Sequence, residues 1–170
     1  FYNYFSGKGF RCTKLISSQT KKNIIISLKE LSSKSMQGVR NFVIQYSGHG
    51  ASYADAGGDE RDGMDECLVS YEKDKSCKLI FDDDLLNILK DFHPSSNILI
   101  ITDACHSGSI WDLPYNYITV HTPSDTQEEV NNVDLSGLYI ENKNTLEQRI
   151  IAISGCRDSQ YSMDTWSNKR

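Results

Sequence analysis

The chain has few residues that would mark it as fibrous, membrane-spanning or disulfide-built. Only 3 of its 170 residues are proline and 11 are glycine, too few for a collagen-like or proline-rich segment. No apolar run approaches the roughly 20 residues needed to cross a bilayer, so no membrane partner is expected. Basic charge is not in surplus. Lys and Arg number 18 against 23 Asp and Glu, a net charge of −5 that argues against a nucleic-acid partner. The 5 cysteines are odd in number and lack CxxC pairs, so they do not form a disulfide framework. A reducing compartment, the cytoplasm, is the expected location. The G-x-S-x-G elbow of serine hydrolases is missing, and so is any internal repeat.

What remains is an ordinary globular composition, long enough for one core, and residues 1–170 read as a single domain. The opening "FYNYFSGKGF" reads as the end of a helix closing on glycine, so the chain reads as a piece of a longer protein. Residues 11–16 fit a short strand. Ser17 to Ser33 fit a helix with Ile24, Leu28 and Leu31 on one face, although the triplet Ile24-Ile25-Ile26 favours a strand. Residues 41–47, 97–102 and 149–156 are apolar runs of the kind found in a parallel sheet covered on both faces. Between the first two lie an acidic loop (54–66), a hairpin from "CLVSY" and "CKLIF", and a helix from "DDDLLNILKDF". Residues 121–148 are polar and broken, the composition of a long mobile loop.

Each of the three apolar strands runs into a polar, glycine-bearing turn: "YSGHG", "TDACHSG" and "ISGC". In an open parallel sheet the ligand crevice lies at the carboxyl ends of the strands. His49, Asp103 and Cys105 would therefore meet at one edge. A cysteine nucleophile needs a base in reach and main-chain donors for an oxyanion. Cys105, His49 and the amides of Gly50 and Cys105 supply these, and Gly48 and Gly50 would let a substrate approach the backbone. Taken singly, Cys105 fits a buried structural thiol and His49 a capping histidine; their joint placement beside glycines favours a site. A phosphate-binding arginine does not follow Cys105, and Cys105-His106 are badly spaced to chelate zinc.

"YSGHG" followed by "DACHSGSIWDLPY", with "DGMDECLVSY", "FDDDLLNIL" and "ISGCRDSQYSMD" in the same order, resembles the metacaspases, a family of caspase-like cysteine peptidases. The resemblance covers nearly the whole chain. It implies an α/β fold with a caspase-like, mostly parallel sheet flanked by helices, whose first central strand and last strands fall outside this fragment. It implies a His49/Cys105 dyad, calcium (Ca²⁺) dependence, and protein or peptide substrates cut after Arg or Lys. Asp103 is then the floor of a pocket that pairs with a basic side chain, and Ser47 adds a polar wall. The calcium ligands fall on Asp65, Asp82, Asp83 and Asp112. The spacing in "DERDGMDE" does not fit an EF-hand, so that site must be assembled from separate segments. The family's usual Thr and Ala in the last motif are Tyr161 and Met163 here. An enzyme cutting after basic residues could process itself at Lys143, within the 121–148 segment; the other reading of that segment is a plain surface insertion. The alternative is a catalytically silent module that binds calcium or a partner.

Overall fold

A computed structural model describes residues 1–15, 19–54, 63–117, 138–140 and 145–156. Lys143, Tyr161, Met163 and most of the 121–148 segment lie outside them. The order is α1 (Tyr2–Gly7), α2 (Lys21–Met36), β1 (Asn41–Ser47), β2 (Gly50–Ala54), β3 (Met64–Tyr71), β4 (Cys77–Phe81), α3 (Asp82–Lys90), β5 (Asn97–Asp103), β6 (Tyr115–Tyr117), β7 (Leu138–Ile140) and β8 (Arg149–Ser154).

α1 ends as its sequence requires. The Phe10 amide reaches back to the Phe5 carbonyl and that of Gly9 to Ser6, with Gly9 at φ 85°. This is a Schellman motif, and the edge-on Phe5–Phe10 ring pair, 5.5 Å apart, supplies its apolar contact. The expected strand at 11–16 is not formed over residues 11–15. Among the described residues the stretch has no neighbouring ladder to pair with, and it folds back along α1 instead, with Lys14 Nζ 5.9 Å from the Tyr2 ring centre. α2 is a helix despite its isoleucine triplet, because Ile24, Ile25, Leu28 and Leu31 all pack into the core. Packing outweighs the small propensity cost of β-branched residues. Its start is later than expected: Thr20, not Ser17, precedes the first turn and accepts a hydrogen bond from the Asn23 amide at 3.2 Å. It runs on to Met36 and closes through Gly38 at φ 100°, with the Val39 amide bonded to the Lys34 carbonyl.

β5 is central to a three-stranded parallel sheet, paired with β1 on one side and β8 on the other. A second sheet, antiparallel, has the order β2-β3-β4 and contains the expected hairpin. Its first strand, "GASYA", has only Tyr53 as a bulky β-former among small residues, so its sequence carries little strand signal. β7, inside the expected 121–148 loop, pairs antiparallel with β6.

One face of the parallel sheet is sealed. Phe42, Ile44, Ile98 and Ile100 join Leu28 of α2 and Leu85, Ile88, Leu89 and Phe92 of α3 and its end in a single core. The other face is not covered in the way the apolar runs suggested: Ile151 and Ile153 are 66% and 55% exposed. Phe92 is the core's pivot, wholly buried and edge-on to Phe42 at 5.0 Å. Phe92→Ala should cost about 3–5 kcal/mol through lost burial and the cavity left behind, measured as a shift in the denaturant unfolding curve.

Candidate active site

The parallel register settles where the three strand ends go. Ser47 lies opposite Asp103, the Gly48 amide donates to the Asp103 carbonyl at 3.1 Å, and the Gly155 amide donates to Thr102 at 2.8 Å. The "YSGHG", "TDACHSG" and "ISGC" turns therefore share one edge. Gly155 has little room for a side chain, since a Cβ there would lie 3.2 Å from Asp103 Oδ1. The Asp103 carboxylate rests against that turn while staying exposed to solvent.

The His49 segment and the Cys105 turn are brought together by main chain. A Cβ on Gly50 would run into the Cys105 carbonyl oxygen, so only glycine lets the His49 segment lie against the nucleophile turn. Val69 donates its amide to the His49 carbonyl at 2.9 Å. That bond makes Gly50 and Leu68 a non-hydrogen-bonded pair of the β2–β3 ladder and turns the Gly50 N–H away from β3. Beyond the close approach of substrate expected of them, Gly48 and Gly50 each make room for neighbouring protein atoms. Gly50 makes room for Cys105, and Gly48 for Tyr46, whose hydroxyl oxygen would sit 2.6 Å from a Cβ there.

Tyr46 was not singled out from the sequence, though it opens the "YSGHG" motif. Its hydroxyl lies 2.9 Å from the His49 carbonyl and 3.1 Å from that of Val69, bracing the histidine's backbone. Burial, followed by the nearby Tyr71, pushes the phenol up to about 12, so it stays a donor. The Tyr71 ring meets His49 edge-on at 6.3 Å. His49 itself is exposed and Cys105 half-buried, so both reach solvent.

The turn after β5 is tightly held. His106 and Asp112 both take left-handed backbone, φ 50° and 51°, a conformation His and Asp tolerate better than most residues. Trp111 Nε1 donates to Thr102 Oγ1 at 2.8 Å, and the Asp112 amide closes on the Ser109 carbonyl at 2.6 Å. From β8, Ser154 Oγ donates to the Ser107 carbonyl at 2.5 Å, and Cys156 Sγ donates to Ala104 at 2.8 Å. Cys67, by contrast, is fully buried, and burial pushes its thiol up to about 11, which removes it as a competing nucleophile.

Of the four carboxylates expected to bind a cation, Asp82 is buried, and Asp65 and Asp112 lie near enough for their charges to act on it. Asp82 is 4% exposed, and its oxygens accept the amides of Glu66 at 2.7 Å and Asp83 at 2.9 Å. Burial pushes its carboxyl up to about 7, with the charges of Asp65 and Asp112 adding to the push. Asp83 faces solvent at the first turn of α3. Among the described residues no group of three or more His, Cys, Asp or Glu is arranged to hold a metal. The donor chemistry, carboxylate oxygen, suits a hard cation, and positive charge beside Asp82 would offset the burial that raises it and the lesser push from Asp65 and Asp112.

Two measurements test this geometry. Gly50→Ala should destabilise the protein by about 1–3 kcal/mol in thermal unfolding, because the Cys105 turn must move. Gly7→Ala, where a Cβ meets nothing within 4 Å, is the matched control and should not destabilise. In metal-free protein, Asp82 binds its proton more tightly folded than unfolded, where its value is 3.8. Its contribution to stability is therefore present at low pH and lost as pH rises through 7. Between pH 5 and 7.5 the loss should be roughly 2–3 kcal/mol, and Asp82→Asn should flatten the slope.

Three comparisons with known proteins agree. Residues 6–114 match the model of the metacaspase peptidase C14 domain. The chain is 32% identical to Metacaspase-1 of Yarrowia lipolytica over 87% of its length, covering 39% of that protein. It is 33% identical to Metacaspase-1 of Arabidopsis thaliana over 86% of its length, covering 38% of that protein. It thus spans about two fifths of the curated relatives it matches. In fold it is similar to the crystal structure of protein GSU0716 from Geobacter sulfurreducens, with a TM-score of 0.61 at 24% identity, over 96% of this chain and 63% of that one. With the motifs, the strand order and these matches in agreement, the chain belongs to the metacaspase family.

Proposed function

We propose that this chain carries the catalytic centre of a cysteine endopeptidase that cuts proteins or peptides after Arg or Lys. The observation that carries the reading is the seating of Gly50 against the Cys105 carbonyl, which lays the His49 segment against the Cys105 turn at the carboxyl edge of the sheet. Family membership supports the reaction class. In the reaction, His49 takes the Cys105 proton as sulfur attacks the scissile carbonyl. The Gly50 amide, pointing away from β3, donates to the developing oxyanion. Collapse forms a thioester and breaks the C–N bond, with the His49 proton passing to the leaving amine. Water then attacks the thioester with His49 as base, releasing the new carboxylate and restoring the thiol.

Asp103 reads the substrate's basic side chain. Its carboxylate lies at the same edge, two residues before the nucleophile, with Ser47 opposite it in the ladder. An acidic side chain there would meet like charge. Asp65, Asp82 and Asp112 would hold calcium, with Asp83 at the rim. The bound ion supplies charge compensation for this cluster, and Asp112 sits at the end of the nucleophile turn. The five free cysteines fit a reducing, cytoplasmic setting.

The test is hydrolysis of Arg-, Lys- and Asp-ended fluorogenic peptides by the full-length protein, in calcium and in chelator. Arg and Lys peptides should be cut at least a hundredfold faster than Asp peptides, and Cys105→Ala should remove all but a trace of the rate. Preference for Asp would overturn the role of Asp103, full activity in chelator that of calcium, and activity in Cys105→Ala that of the nucleophile.

A further inference from the structure

Glu66 is the least expected residue of the fold. It sits in β3 just before the buried Cys67 and Leu68, is 1% exposed, and carries a carboxylate into the interior. Burying such a group is costly, and for stability alone an apolar side chain of the same volume does as well. Its partner is Ser109, also buried, whose Oγ donates to Glu66 Oε2 at 2.7 Å. Ser109 lies four residues past Cys105, at the middle of the turn that Trp111 anchors to β5 and Ser107 joins to β8. Those anchors belong to the nucleophile's own sheet. The Glu66 bond instead comes from the second sheet, the one whose β2 strand carries Gly50 and whose β3 amide holds the His49 carbonyl.

We propose that Glu66 and Ser109 are positioning residues: their hydrogen bond fixes the Cys105 turn, on one sheet, against the strand pair that holds His49, on the other. The proposal rests on the reading of Cys105 and His49 as the reacting pair. A second link extends it. The Glu66 amide donates to Asp82 at 2.7 Å, so the same residue ties the nucleophile turn to the acidic cluster. The side chain sets the turn and the main chain sets the cluster, through one rigid strand position.

The test uses the full-length protein and two readouts. The first is kcat and KM on the Arg-ended peptide. The second is the rate at which iodoacetamide labels Cys105, followed by peptide mass mapping, which needs no turnover. Ser109→Ala should lower kcat about tenfold with KM within twofold. It should also slow Cys105 labelling at least threefold, because the loosened turn carries the thiol away from its base. Labelling of Cys77, exposed and distant in sequence, should not change and serves as the internal standard. Ser109→Thr, which keeps the hydroxyl, should restore most of both rates. Adding Ser109→Ala to Glu66→Met should cost less than a further twofold, since the bond is already gone. The proposal is overturned if Ser109→Ala leaves kcat and Cys105 labelling within twofold of the parent. It is equally overturned if the variant fails to fold and Ser109→Thr is no better, because the bond is then merely structural. If the parent protein cuts no peptide at all, the peptidase reading fails, and the labelling rates alone decide on the clamp.

Discussion

The pairing of β5 between two parallel neighbours is the constraint on which everything else depends. Parallel strands send their carboxyl ends the same way, so one ladder aligns three separate turns and brings them into contact. The bonds from Gly48 to Asp103 and from Gly155 to Thr102 continue that ladder one step beyond the strands. The chemistry then falls to whatever residues occupy those steps. Here they are a histidine flanked by glycines, a carboxylate followed by a thiol, and a Ser-Gly-Cys corner.

The second sheet completes the arrangement from the side. β2 begins immediately after His49, and β3 grips the histidine's carbonyl from one direction while Tyr46 grips it from another. The residue proposed as base is thus held by its backbone and is itself exposed to solvent. The proposed nucleophile is held differently, by a turn whose side chains are pinned on several sides. Such a division would suit the proposed reaction, in which an imidazole swings slightly between thiol and leaving group while the sulfur stays put.

Much of this was legible from residue patterns. β1, β5, β8 and the β3–β4 hairpin announce themselves as apolar runs closed by polar turns, and Leu85, Leu89 and Phe92 mark the buried face of α3. The glycine-flanked His49 and the Asp103–Cys105 pair stood out for the same reason, as reactive groups placed where apolar sequence stops. β2 did not, since Gly, Ala and Ser carry little strand signal and its stability comes from partners 10 to 18 residues away. Residues 11–15 erred the other way: their composition suits a strand, but a strand exists only where another backbone offers hydrogen bonds. The supporting residues were hidden too. Tyr46, Glu66 and Ser109 act through contacts across 16 to 43 positions of sequence or through a main-chain carbonyl, and neither leaves a local pattern.

Gly50 also bears on how such a site can drift. Most positions near a reacting group accept some exchange of side chain at the expense of rate. At Gly50 even the smallest side chain collides with the backbone of the nucleophile turn, which cannot rotate aside as a side chain can. Sequence variation there is closed off by geometry before chemistry is consulted, so new specificities in this fold must be built from the neighbouring strand ends.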